Sequence, residues 1–181
     1  MVVRESGSRR DAGFTALFLG FFAAAWFGWG QAGERFGAWL TAGSIVSWLV
    51  AIAGLVVALR STAEGSAMRR PGANRRYGII VGTEFGSAAV GAAILGVTGQ
   101  VEYIPVWICA VVGVHFFPLA PVLGDRGLYP LGVATVAVAI AGLLTGLLSD
   151  VDAVTVVGVG AGLLLLGYSL LALAKARTRA G

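Results

Sequence analysis

Two ionisable side chains lie inside apolar stretches of this 181-residue chain, and both are of types that can trade a proton. Glu84 sits within GIIVGTEFGSAAVGAAILGV, and His115, the only histidine, within VWICAVVGVHFFPLAPVL. An ionisable group in hydrocarbon costs about 2.5 kcal/mol or more, so it faces a partner or a wet cavity rather than acyl chains. Imidazole, with an unperturbed pKa of about 6.5, changes charge near neutrality, and a carboxylate beside it makes an acid and base pair. Counted at about 1.5 Å per helical residue, Glu84 lies roughly 12 Å inward of Arg76, and His115 roughly 15 Å inward of Asp125. The spacing predicts two groups at similar depth on neighbouring helices, close enough for a direct or water-bridged contact.

The neighbours of this pair follow from helical periodicity. Tyr77, Thr83 and Ser87 lie on the Glu84 segment, and the small residues Ser87, Ala88 and Gly91 could leave room for a helix, a water or a ligand. Trp107, Phe116 and Phe117 on the His115 segment, with Trp48 from an earlier run, could shape an apolar pocket. Pro118 and Pro121 each withhold a backbone donor, freeing the carbonyls of Val114 and Phe117 within a turn of His115. The same acid and base could instead simply fasten two helices together.

Other chemistries are poorly served. One histidine and one cysteine, Cys109, cannot supply the three or four ligands of a zinc or haem site, and no metal or cofactor is expected. The chain has no Walker loop, no HExxH and no GxSxG. The glycines at Gly158, Gly160 and Gly162 imitate a phosphate loop but lie in an apolar run with no strand before them, where they read as packing. Cys109 itself reads as a small buried hydrophobe.

The elements that must position Glu84 and His115 are set by composition. Hydrophobic residues make up 57% of the chain and charged ones 12%, too few charges to cover a soluble domain of this size. Twenty-eight glycines are spread through the apolar runs, where small residues let helix backbones approach closely in a bilayer. An all-α, polytopic membrane protein follows, with transmembrane helices at about residues 12–30, 38–59, 77–98, 103–124, 128–149 and 153–174 in three antiparallel pairs. Residues 1–11 and 175–181 are expected to be tails. The first run rivals a signal peptide, but it is too long for the usual apolar core of one and further spans follow. Ala16, Gly20, Ala24 and Gly28 form a smooth stripe on it, and Trp26 with Trp29 would mark the membrane boundary.

Charge then orients the chain. Of the 13 Lys and Arg residues, every one but Arg35 falls in the N-terminal tail, the second or fourth connection, or the C-terminal tail, counting the residues at their edges. The odd-numbered connections hold Glu34, Glu102, Asp150 and Asp152. By the positive-inside rule both termini belong in the cytoplasm, and the protein in a cell (inner) membrane. The net charge of +4 is spent on topology and basic loops that can touch lipid headgroups, not on a nucleic-acid face.

Three functional classes remain open. The leading one is transport or permeation of a small solute or protons past Glu84 and His115, with a homo-oligomer joined through the small-residue stripes. The second is an embedded enzyme acting on a lipid or isoprenoid with Glu84 as acid or base. The third is a non-catalytic membrane partner protein. A pocket open sideways to lipid and closed to both aqueous faces would favour the enzyme over the transporter.

Overall fold

The computed structural model describes residues 8–33, 36–61 and 71–178. The outer tails, Glu34, Arg35, Arg69 and Arg70 fall outside the described residues. Among those described, the chain is all-helical, with six helices long and apolar enough to span a membrane. They are α1 (Arg9–Gly30), α2 (Gly37–Leu59), α3 (Ala73–Val97), α4 (Ile104–Leu123), α5 (Leu128–Leu148) and α6 (Ala153–Thr178). Leu49, Ile52, Val90 and Leu163 are each more than half exposed along their surfaces. So wide an apolar exterior suits hydrocarbon and not water. The chain is therefore a multi-pass membrane protein.

Helix ends follow local chemistry. Ser8 Oγ accepts the Asp11 N–H at 3.1 Å while Asp11 Oδ2 accepts that of Ser8 at 3.2 Å, a reciprocal cap that starts α1 inside the stretch expected to be tail. Gly72, at φ 75°, turns the chain into α3 four residues before the expected Tyr77. At the other end α6 runs on through Lys175 and Arg177, cations that complement the negative end of the helix dipole. Between α4 and α5, Gly124 adopts φ 67° and Asp125 Oδ1 accepts the Gly127 N–H at 3.0 Å, closing a tight turn.

Packing is unequal among the six. Helix α6 is the hub, touching α1, α2, α4 and α5, and α1 is pressed between α2 and α6. A Cβ built on Gly13 would lie 2.6 Å from the backbone nitrogen of Ala58, so α1 and α2 meet backbone to backbone where the small-residue stripe runs. The glycines of α6 serve packing too. Gly158 abuts Gly30 of α1, and Gly162 lies under the ring of Phe27. Ser44 Oγ adds a bond to the carbonyl of Ala24 at 3.0 Å. Helix α3 stands apart, resting along α4, and of its residues only Ala73 is buried.

Two tryptophans differ from expectation. Trp26 is buried, stacked on Trp29 at 5.5 Å, because α6 covers this end of α1, so it belongs to the core and not to a boundary belt. Trp48, expected within the bundle, is 49% exposed and meets Phe21 edge-on at 5.4 Å on the outer side of α1 and α2.

Candidate functional site

Helix α3 delivers Glu84 from its middle, and α4 delivers His115 from beyond its own midpoint. Glu84 Oε1 and His115 Nδ1 are 3.4 Å apart, with the side chains 15% and 14% exposed. The same Nδ1 lies 2.7 Å from the carbonyl oxygen of Val112. A carbonyl can only accept, so this geometry assigns the Nδ1 proton to the imidazole and points it between Val112 and the carboxylate. Nε2 is then the basic nitrogen. The ring of Phe116 packs against the imidazole at 4.5 Å.

The backbone donors that Pro118 and Pro121 withhold do not end the helix. Helix α4 continues through Pro118 and Pro121 to Leu123, and both prolines are exposed. The carbonyl that serves His115 belongs to Val112, one turn earlier, and not to Val114 or Phe117.

Both side chains open onto a cavity of about 760 Å³ lined by α1, α3, α4 and α6 and open along the gap between α1 and α3, where Phe18, Phe22 and Phe85 are exposed. Phe14, Phe18, Phe21, Phe22 and Trp26 form its α1 wall, and Tyr77, Val81 and Phe85 flank Glu84 on α3. On α4, Val112, Phe116 and Leu119 surround His115, while Leu165, Tyr168, Leu171 and Ala172 come from α6. One end is ionic: Asp11 from the first turn of α1, Asp125 from the α4–α5 turn and Lys175 near the end of α6. Lys175 Nζ lies 3.9 Å from Asp125 Oδ1, both partly exposed.

A second cavity of about 510 Å³ occupies the opposite end of the bundle, with Trp29, Glu102, Tyr103, Asp150 and Asp152 in its walls. Between the two, Val106, Cys109, Val157 and Ala161 are buried in one continuous core. This packed and largely apolar layer, with the buried Thr135 beside Cys109, separates the two cavities.

Of the residues expected at the site, Glu84, His115, Tyr77 and Phe116 line the larger cavity. The others do not. Thr83 is exposed, being turned about 100° from Glu84 by the helix. Phe117, displaced from Phe116 in the same way, faces Tyr129 at 6.3 Å. The Ser87 carbonyl accepts the indole N–H of Trp107 at 3.1 Å, so these two join α3 to α4 outside the cavity, and Trp48 lies on the outer surface of α2. Sequence reasoning missed the α1 wall. Its signal was present in Phe14, Phe18 and Phe21, spaced i, i+4 and i+7 on one helix face.

Among the described residues no group of His, Cys, Asp and Glu could hold a metal ion. Compared with models of protein families, with characterised proteins and with solved structures, the chain matches none. The site therefore has to be read from its own chemistry. It holds a carboxylate and an imidazole in contact, mostly sheltered, at the side of a large aromatic chamber.

Proposed function

We propose that the protein transports a small, largely apolar solute and exchanges a proton with it or against it at Glu84 and His115. The observation that carries this reading is the 3.4 Å contact between the carboxylate and the imidazole inside a cavity of about 760 Å³. A volume in this range suits an organic molecule, and a fastening pair alone would need no chamber beside it. In this reading Glu84 and His115 pass the proton, Tyr77 and Phe116 contact the solute, and the α1 phenylalanines form the rest of its bed.

Two cavities at opposite ends, parted by one packed layer, support transport over catalysis. An occluded layer that yields alternately to each side is what a carrier requires. The ionic end formed by Asp11, Asp125 and Lys175 brings the larger cavity to a helix-end boundary, which favours transport, while its flank between α1 and α3, with Phe18, Phe22 and Phe85 exposed, opens sideways as the enzyme reading would have it. The segregation of 12 of the 13 basic residues supports both termini in the cytoplasm, three antiparallel helix pairs and a place in the cell membrane. The larger cavity would then face the cytoplasm.

Reconstitution into proteoliposomes tests the reading. Wild-type protein should carry an apolar solute with a pH-dependent rate, and Glu84→Gln and His115→Ala should each lose that dependence while eluting as folded protein. Undiminished, pH-dependent flux in both variants would overturn it.

A further inference from the structure

The walls of the larger cavity carry formal charge of one dominant sign. Asp11, Glu84 and Asp125 contribute carboxylates, Lys175 the one ammonium, and no arginine lines it among the described residues. The remaining titratable groups facing it are His115 from α4, Tyr77 from α3 and Tyr168 from α6. With Glu84 ionised and His115 neutral, the lining is negative by two charges in excess. The lining around Glu84 is aromatic, with Phe18 and Phe22 on α1 and Phe85 on α3, while the Phe14 ring is already met by the Arg10 guanidinium at 5.5 Å and the Phe116 ring by the His115 imidazole at 4.5 Å. An aromatic face presents negative potential to whatever lies against it, and a desolvated cation is held by it more strongly than an exposed one.

We propose that the solute is a hydrophobic organic cation, held between the ring faces of α1 and α3 and neutralised by the Glu84 carboxylate. This rests on the transport reading above and names the class of molecule carried. An anionic amphiphile would meet an excess of like charge in this chamber, and a neutral one would leave the charge of the carboxylate unneutralised. The charge balance is closed by exchange. A protonated Glu84 gives up its proton to water as the cation arrives, and reprotonation releases the cation. Net charge in the chamber is the same before and after.

Three probes of nearly equal shape separate the possibilities: tetraphenylphosphonium, the neutral tetraphenylsilane, and tetraphenylborate. Each is titrated into the purified full-length protein in an uncharged detergent. The wild type should bind tetraphenylphosphonium at least about tenfold more tightly than either of the others, as a contact worth one order of magnitude requires. That affinity should fall on acidification as protons compete for Glu84, and the neutral probe should show no such fall. Glu84→Gln should bind the cation no better than the neutral probe, and its retained binding of the neutral probe reports an intact chamber. A cation preference that survives in Glu84→Gln would overturn the proposal. So would equal or tighter binding of tetraphenylborate by the wild type, although a Glu84-dependent preference for that anion would leave the transport site standing. No Glu84-dependent binding of any of the three would remove both readings.

Discussion

Trp107 of α4 reaches across to α3, donates its indole N–H to the carbonyl of Ser87 at 3.1 Å and lays its ring over Gly91. This clasp lies one to two turns from Glu84 on the one helix whose sole extended support is α4. It decides where the carboxylate stands.

Any side chain at position 91 must displace that indole, since a Cβ there would overlap the ring. Gly91→Val should destabilise the protein by about 1–3 kcal/mol, the usual cost of overpacking. It should also weaken solute binding at Glu84, although position 91 does not line the cavity. Thermal unfolding in detergent and a solute titration on the same sample check both effects, and Trp107→Phe should reproduce the binding loss with a smaller change in stability.

Glycines at different helix surfaces should respond oppositely to the same change. Gly54 of α2 is in backbone contact with Gly13 and Leu17 of α1, whereas Gly82 of α3 has nothing within 4 Å of a built Cβ. Gly54→Leu should cost about 1–3 kcal/mol or prevent folding, while Gly82→Leu should leave the monomer's unfolding midpoint unchanged or slightly higher, since glycine costs a helix about 1 kcal/mol relative to better formers. Unfolding in increasing dodecyl sulfate measures both.

Cys109 is fully buried, with its Sγ 3.5 Å from the carbonyl of Thr135. It should resist maleimide in the folded protein and react at the rate of unfolding. Rapid labelling under native conditions would mean that the layer between the two cavities opens far more readily than its packing implies.

The ion pair of Lys175 with Asp125 is long and partly exposed, so it should contribute little to stability. Asp125→Asn keeps an oxygen for the Gly127 N–H and should change the unfolding free energy by no more than about 1 kcal/mol. Its effect should appear instead in the affinity for a charged solute, measured against the neutral probe.

Much of this architecture was legible because a bilayer leaves so little choice. Helix number followed from apolar run lengths, and the meeting of Glu84 with His115 from counting depth on two consecutive helices. The aromatic wall was not legible. It depends on α1 facing α3 across a gap, a relation between non-consecutive helices that periodicity along one segment cannot express. Trp26 was misplaced for a related reason. Proximity to the end of a span suggests a boundary, but whether that end is wetted depends on which helix lies over it, and here α6 does. Thr83 and Phe117 were swept in by adjacency in sequence, where a rotation of about 100° per residue puts neighbours on different sides.

Because α3 leans on α4 and little else, the order of synthesis matters to the acid it carries. At ribosomal speeds of about 5–20 residues per second, Glu84 is made roughly 2 to 6 s before the histidine that will face it. During that interval the segment must enter lipid with a carboxyl group and no imidazole to receive it, at a penalty of about 2.5–3.5 kcal/mol on insertion scales. Biogenesis of this protein thus has a vulnerable moment, and a chain halted between the third and fourth spans should be the form that quality-control proteases find first.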